Sequence, residues 1–169
     1  ETGIPIPTFG DKGKVSMNIG MRGDPEKISV IPTSPGIVFK ELLIIGNEVS
    51  ELYGAEPGHI RAYNIITGKL EWTFHTVPQP GEVGYNTWPK EAWKYVGGTN
   101  SWGGMSLDEK RGMVFFATGS PTYDYYGKDR IGANLFGNSV VALDARTGKY
   151  KWHFQTVHHD LWDYDLPAP

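Results

Sequence analysis

Short stretches in which apolar and polar residues alternate, separated by turn residues, run along much of the chain. In residues 70–76 apolar side chains take every second position from Leu70 onward, and residues 150–156 repeat this pattern from Tyr150. A period of two is typical of half-buried β-strands. These and neighbouring apolar runs predict strands near residues 37–40, 42–46, 59–64, 70–76, 112–118, 138–143 and 150–156, with long loops at 78–104 and 119–137. Long ordered loops in a compact β protein tend to carry function.

An internal repeat organises these strands. Residues 62–77 (AYNIITGKLEWTFHTV) and 142–157 (ALDARTGKYKWHFQTV) are identical at eight of sixteen positions, with a constant offset of 80. Each copy predicts a hairpin in which Asn64 or Asp144 bonds the turn backbone and the glycine of the Thr-Gly pair adopts positive φ. This offset exceeds the roughly 40 to 50 residues of one four-stranded unit, so each interval holds either two units or one unit with large loops. The long connections between the predicted strands favour one unit with large loops.

Composition supports an all-β fold and excludes several functions. The chain has 22 glycines, 12 prolines and many aromatic residues, which suits strands joined by tight turns better than helices. With 16 basic against 19 acidic residues and no basic block, it lacks the charge pattern of a nucleic-acid-binding protein, so we expect no nucleic-acid partner. The longest apolar runs, such as 113–117, are far shorter than the roughly twenty residues of a transmembrane helix. Cysteine chemistry is excluded because the chain has no cysteine.

The densest group of ionisable side chains follows the second repeat, at residues 158–165 (HHDLWDYD). Three carboxylates so close together raise one another's pKa, which suits a general base. The alternative is that these aspartates only cap turns, and for Asp160 we favour that interpretation. Adjacent histidines point away from each other in an extended strand, so we do not expect His158 and His159 to bind one metal ion together.

Several stretches resemble one enzyme family. The repeat segment A-x-(D/N)-x-x-T-G-K-x-x-W is similar to the tryptophan-docking motif of quinoprotein dehydrogenases, eight-bladed β-propellers that hold pyrroloquinoline quinone (PQQ) on the propeller axis. Residues 97–121 and 153–169 resemble the segments that supply its quinone-stacking tryptophan and its catalytic aspartate, and HHDLWDYD is nearest to the membrane-associated glucose dehydrogenase branch. The resemblance implies an all-β fold, with residues 1–169 as a partial propeller domain, a fragment of about three blades.

The resemblance implies PQQ-dependent oxidation of a glucose-like sugar or an alcohol. Hydride would pass to the quinone, and electrons would continue to a quinone or cytochrome acceptor. Asp163 corresponds to the general base, Trp102 to the tryptophan beneath the quinone, and Thr33 to a hydroxyl that bonds a PQQ carboxylate. Trp72 and Trp152 correspond to docking residues between blades.

The resemblance also implies a divalent cation, calcium in the first place and a lanthanide as the alternative. The implied ligands are Glu51, Ser120 and Asp163. Glu48 is the rival of Glu51. Ser120 stands where the methanol branch has an asparagine, so Asp124 and Asn134 are candidate substitutes for it. Asp165 resembles an extra carboxylate of lanthanide-using enzymes, but the glucose branch also has aspartate there, so both interpretations stay open.

The length implies that the chain is part of a larger enzyme, because 169 residues cannot close eight blades. Its open sheet edges predict contacts with the rest of the propeller or with other copies. The resemblance implies a periplasmic or other extracytoplasmic location, with any membrane association made through parts outside this chain.

A non-catalytic propeller is the rival interpretation. Scaffold lipoproteins of outer-membrane assembly share the Thr-Gly-x-x-x-Trp repeat and bind proteins in the cell envelope instead of cofactors. Such a scaffold has no reason to concentrate three aspartates after the repeat or to insert long loops between its strands.

Overall fold

The computed structural model describes residues 3–168, which contain two four-stranded antiparallel sheets. Each sheet is a meander, with strand orders β1-β2-β3-β4 and β5-β6-β7-β8. The strands are β1 Ile37–Phe39, β2 Leu42–Ile45, β3 Ile60–Asn64, β4 Leu70–Phe74, β5 Met105–Asp108, β6 Met113–Ala117, β7 Ser139–Asp144 and β8 Tyr150–Gln155. Three 3₁₀ turns lie in the loops, at Tyr85–Thr87, Ala92–Lys94 and Lys128–Arg130. None of the described helices is long and apolar enough to cross a membrane.

The structure confirms the all-β fold and assigns one sheet to each repeat interval. The predictions omit strand β5, because its four residues offer only two apolar positions and follow a glycine pair. Where the sequence predicts about three blades, the described residues complete two sheets. Residues 3–36 form turns and isolated bridges instead of a further sheet.

The two sheets share one hydrophobic core. Ile44 and Ile60 of the first sheet cluster with Val114, Val141 and Leu143 of the second, and all five side chains are fully buried. Burial of each such side chain contributes about 1.5–3 kcal/mol. The shared core therefore fixes the positions of the loops that leave both sheets.

The sequence repeat is also a structural repeat. Asn64 Oδ1 accepts a hydrogen bond from Thr67 N at 2.9 Å, and Asp144 Oδ1 accepts one from Thr147 N at 3.1 Å. Both copies carry a register shift in the strand pair that the hairpin joins. The predicted hairpins are thereby confirmed.

Trp72 connects the first sheet to the hairpin turn of the second. A Cβ atom built on Gly148 would lie 2.5 Å from Trp72 Cε3, so the indole ring lies directly against the glycine backbone. Gly148 also has a φ of +68°, which favours glycine. Trp152, the counterpart of Trp72 in the second repeat, is 42% exposed.

Asp160 fixes the segment that follows β8. Its carboxylate accepts hydrogen bonds from Ser120 Oγ at 2.6 Å and from Asn138 Nδ2 at 2.9 Å. It also accepts bonds from the backbone amides of Trp162 at 2.9 Å and Tyr164 at 2.7 Å. The turn-capping interpretation of Asp160 is confirmed, and the cap also reaches Ser120 in the loop after β6 and Asn138, the residue before β7.

Hydrogen bonding decides the ionisation of Asp160. Burial alone would raise the pKa of this carboxyl, but the bonds from Ser120, Trp162, Tyr164 and Asn138 outweigh it and hold the pKa below its ordinary value of 3.8. The side chain is only 2% exposed, so it remains a buried, ionised acceptor at neutral pH.

The two long loops hold each other. The indole N–H of Trp88 donates to the backbone carbonyl of Leu135, which joins the loop before β5 to the loop before β7. Arg130 is buried and donates to the backbone carbonyl of Asp160 at 2.6 Å. These contacts fix the two loops relative to each other and to the segment after β8.

We expect Gly148→Ala to destabilise the protein more than Gly54→Ala. Both glycines have positive φ, so both changes incur backbone strain of about 1–2 kcal/mol. Only the Gly148 change also displaces Trp72, since no atom lies within 4 Å of a Cβ on Gly54. The overpacking adds about 1–3 kcal/mol. Denaturant unfolding measures the difference, and equal losses would contradict the docking contact.

We expect Asp160→Asn to lower the free energy of unfolding at pH 7 by about 2–4 kcal/mol, because an amide cannot replace a carboxylate that accepts four bonds. Since the folded pKa lies below 3.8, the contribution of Asp160 is complete above about pH 5 and is lost as the pH falls through the folded pKa. The variant should lack that part of the acid dependence in denaturant titrations from pH 7 to 3. Asp129→Asn, at an exposed position, is the control, and an unchanged acid dependence in Asp160→Asn would contradict the assignment.

Candidate active site

A small acidic cavity of about 210 Å³ lies where four loops meet. The loops follow β2, precede β5, follow β6 and follow β8. The cavity brings together four of the residues predicted for the site: Glu51, Trp102, Ser120 and Asp163. No lysine or arginine lines it within residues 3–168. Residues from four separate loops therefore form one negatively charged pocket.

Thr33 and Asn134 lie outside the cavity lining. Thr33 Oγ1 donates to the backbone carbonyl of Trp102 at 3.2 Å, so the hydroxyl lies beside the tryptophan of the pocket. Asn134 is fully buried and bonds the side chain of Arg130 at 3.0 Å. Asn134 is therefore occupied as a loop residue, whereas Thr33 supports the backbone of Trp102.

Asp163 lies half-buried in the cavity wall. Its backbone has a φ of +58°, and within residues 3–168 its carboxylate accepts no hydrogen bond. Burial raises the pKa of Asp163, and the neighbouring carboxylates of Asp165 and Asp160 raise it further. An unpaired carboxylate that faces a cavity can accept a proton from a bound molecule.

Asp124 is a second unpaired carboxylate in the same cavity. It is buried, and within the described chain its carboxylate makes no hydrogen bond. Burial and the charges of Asp163, Glu51 and Asp165 raise the pKa of Asp124 to about 6, against the opposing charge of a nearby arginine. Asp124 therefore lies near Asp163, the predicted general base. The sequence alone suggests Asp124 only as a metal ligand in place of Ser120.

Both rival glutamates, Glu48 and Glu51, line the cavity. Glu51 is the one whose charge raises the pKa of Asp124. Glu51 is therefore electrostatically coupled to the buried acid group.

Ser120 lines the cavity, but protein groups already bond its hydroxyl. Ser120 Oγ donates to Asp160 at 2.6 Å and accepts a bond from Asn138 Nδ2 at 3.2 Å. The backbone amide of Ser120 donates to Asp165 Oδ1 at 2.6 Å. Asn138 has no distinguishing motif around it, so sequence reasoning missed it.

Asp165 holds Trp102. The indole Nε1 of Trp102 donates to Asp165 Oδ2 at 2.8 Å. The Trp102 side chain is 37% exposed, so one edge of the ring is held while part of its surface stays open beside the cavity.

His159 bonds the loop backbone and does not line the cavity. Its Nδ1 lies 3.1 Å from the carbonyl oxygen of Gly132 and 3.2 Å from Asn134 Oδ1. The His159 ring is therefore held by the loop that contains Gly132 and Asn134.

The oxygen donors of the cavity suit a hard cation. Carboxylate, amide and hydroxyl oxygens are the ligands that calcium prefers. Among residues 3–168 no three acidic or histidine side chains already converge closely enough to hold a metal ion. The exposed part of the Trp102 ring suits a planar aromatic ligand.

The whole chain, residues 1–169, matches the family model described as PQQ glucose/ethanol/alcohol dehydrogenase, β-propeller domain. It is 39% identical over 173 residues to quinoprotein glucose dehydrogenase A of Acinetobacter calcoaceticus and 38% identical over 170 residues to quinate/shikimate dehydrogenase (quinone) of Acinetobacter baylyi. Each alignment covers 99% of this chain and 21% of the relative, so the chain spans about a fifth of their length.

A solved structure agrees with the sequence match. The crystal structure of quinohemoprotein alcohol dehydrogenase from Comamonas testosteroni superposes with a TM-score of 0.66 at 35% identity, over 77% of this chain and 21% of that one. Fold, repeat and sequence thus agree. The chain belongs to the β-propeller family of PQQ-dependent glucose, ethanol and alcohol dehydrogenases.

Proposed function

We propose that this chain contributes the catalytic base and one wall of the cofactor site to a PQQ-dependent dehydrogenase of sugars or alcohols. The observation that carries the proposal is the unpaired carboxylate of Asp163 in the same cavity as the partly exposed ring of Trp102. Family membership supports the proposal, and the activity of the whole protein is inferred from relatives that are about five times longer than this chain.

Asp163 takes the proton from the substrate hydroxyl in this proposal. Its carboxylate is free of protein donors within the described residues, and burial with the nearby charges of Asp165 and Asp160 raises its pKa. A raised pKa makes the carboxylate a stronger base. The substrate carbon loses a hydride as its hydroxyl loses the proton, and a carbonyl product forms. PQQ, when bound, supplies the two-electron acceptor for that hydride, and a quinone or cytochrome then receives the electrons.

Trp102 and Thr33 would contact the bound cofactor in this proposal. The open part of the indole offers a flat apolar surface without charge, which suits stacking on a planar ring system. Thr33 Oγ1 donates its one hydrogen to the backbone carbonyl of Trp102 at 3.2 Å, so the hydroxyl would exchange this acceptor for a cofactor carboxylate when PQQ binds.

A bound cation would reduce the electrostatic repulsion between the acidic cavity and PQQ. PQQ carries carboxylates, and the described cavity lining is acidic and lacks lysine and arginine. A bound hard cation would offset the repulsion, and Glu51, Asp124 and Asp163 would offer carboxylate oxygens for it. Ser120 would add the one lone pair that its bonds to Asp160 and Asn138 leave free. Calcium and a lanthanide both satisfy this chemistry, and titration with each distinguishes them.

Other parts of the full-length protein would complete the site. The cavity of about 210 Å³ is below the roughly 300–1,000 Å³ of ordinary ligand pockets. Trp152 and Phe154 are 42% and 66% exposed on the second sheet, so a further sheet of the propeller is proposed to cover them. We place the protein outside the cytoplasm, where the quinone or cytochrome acceptors of this family are expected.

The non-catalytic scaffold remains the alternative class. The scaffold interpretation does not explain the acidic group formed by Glu51, Asp124 and Asp163. Their carboxylates have no protein donor within residues 3–168. Unpaired acidic groups destabilise a fold through mutual repulsion. A scaffold gains nothing from them, whereas a cation and cofactor site requires them.

We expect Asp163→Asn in the full-length protein to lower turnover by about a hundredfold or more, because general base catalysis contributes about 10²–10⁴-fold. PQQ affinity should stay within severalfold of the wild type, because the amide keeps the shape of the side chain. Dye-reduction assays with glucose, alcohols and quinate, and PQQ absorbance titrations, measure the two quantities. Asp129→Asn is the matched control for a lost charge, and full turnover in Asp163→Asn would contradict the role. Failure of the wild type to bind PQQ would favour the scaffold.

We expect Glu51→Gln and Asp124→Asn each to weaken calcium affinity by about tenfold or more, the size of effect seen when groups around metal sites are removed. Glu48→Gln is the matched control, since Glu48 lines the same cavity and is not among the charges that raise the pKa of Asp124. Calcium and lanthanum titrations of the chelator-treated protein, followed by PQQ absorbance, measure the affinities. A larger loss in Glu48→Gln would transfer the ligand role to Glu48.

A further inference from the structure

Both oxygens of Asp165 are occupied by protein donors. Oδ2 accepts the indole N–H of Trp102 at 2.8 Å, and Oδ1 accepts the backbone N–H of Ser120 at 2.6 Å. Both distances are shorter than the usual N–H···O distance of about 2.9–3.0 Å. One carboxylate thereby connects the loop before β5 to the loop after β6.

The backbone around this carboxylate leaves it little room to move. A Cβ atom on Gly119 would lie 2.3 Å from Asp165 Oδ1, and one on Gly103 would lie 1.7 Å from the carbonyl oxygen of Pro167. The segment that carries Asp165 therefore lies directly on two glycine backbones, one beside Trp102 and one beside Ser120. Such contact distances fix both partners of the carboxylate.

We infer that Asp165 is a positioning residue, which fixes the plane of the Trp102 indole through its Nε1–H and so presets the surface on which the cofactor stacks. A free tryptophan side chain rotates about two bonds, and fixing it before binding removes that entropic cost from the binding step. The expected effect on PQQ affinity rests on the proposed function. The hydrogen bond between Trp102 and Asp165 does not depend on that proposal, because it is observed in the structure.

The chemistry of the two donors explains why the residue is an acid. Two N–H groups converge on one side chain, so it must offer two acceptors. Asparagine offers one acceptor and one donor, and its amide nitrogen would face an N–H group. The bonds also distinguish Asp165 from Asp163, whose carboxylate accepts no bond within the described residues. The two neighbouring aspartates thus have different tasks.

Two double-mutant cycles on the full-length protein test the inference, using Asp165→Asn, Trp102→Phe and the double variant. Phenylalanine keeps an aromatic ring but has no N–H. The first cycle measures unfolding of the protein without cofactor, and the second measures PQQ affinity by absorbance titration. We expect Asp165→Asn to weaken PQQ binding about tenfold in the wild-type background and to have little effect in the Trp102→Phe background. Trp162→Phe, which changes an exposed tryptophan, is the control background, where the tenfold effect should persist.

The outcomes separate the alternatives. Equal weakening of PQQ binding in both Trp102 backgrounds overturns the inference. So does a loss of calcium or lanthanum affinity in Asp165→Asn that is independent of Trp102, because it would make Asp165 a metal ligand. If the wild type binds no PQQ, the proposed function fails, and the unfolding cycle alone decides whether Asp165 and Trp102 are coupled. Asp165→Ser, which also removes the paired acceptors, replaces Asp165→Asn in both cycles if that variant does not fold.

Discussion

The geometry of the cavity depends on one buried carboxylate, that of Asp160, which accepts four hydrogen bonds from the protein. Asp160 collects donors from Ser120, Asn138 and the backbone of the segment that follows it. Because these donors belong to the loop after β6, the residue before β7 and the turn after β8, their common acceptor fixes three parts of the chain relative to one another. Asp163 and Asp165 follow within five residues of Asp160, so their positions inherit this constraint.

Hydrogen bonding divides the acidic groups into two kinds. Asp160 and Asp165 have protein donors on their oxygens, and in Asp160 these bonds stabilise the ionised form. Asp124 and Asp163 have no such donors within residues 3–168. Burial and mutual repulsion then raise the pKa of Asp124 to about 6 and raise that of Asp163. In our proposal, positioning and chemistry are therefore assigned to different residues close in sequence, because donors reach some carboxylates and not others. The unpaired group is the part that a substrate or cation can use.

The sequence predicts the parts of this arrangement that local pattern encodes. The offset of 80 and the alternation around Trp72 and Trp152 identify the hairpins, since the period of two and the Thr-Gly turn are local signals. The resemblance places Asp163 and Trp102 in one site, and the cavity contains both. The bonds from Trp102 and Ser120 to Asp165 span 63 and 45 residues, and no local rule selects them. Strand β5 is missed for a similar reason, because its partner strand and not its own pattern defines it.

The two repeats show how packing depends on context more than on sequence. Phe74 is 9% exposed in the first repeat, and its counterpart Phe154 is 66% exposed in the second. The same residue types at the same hairpin positions are thus buried only where a further sheet follows, as the second sheet follows the first. An exposed face with Trp152 and Phe154 is costly in water. Trp72 of the first sheet docks on Gly148 of the second, and in our proposal Trp152 makes the same contact with a following sheet, which would bury this face.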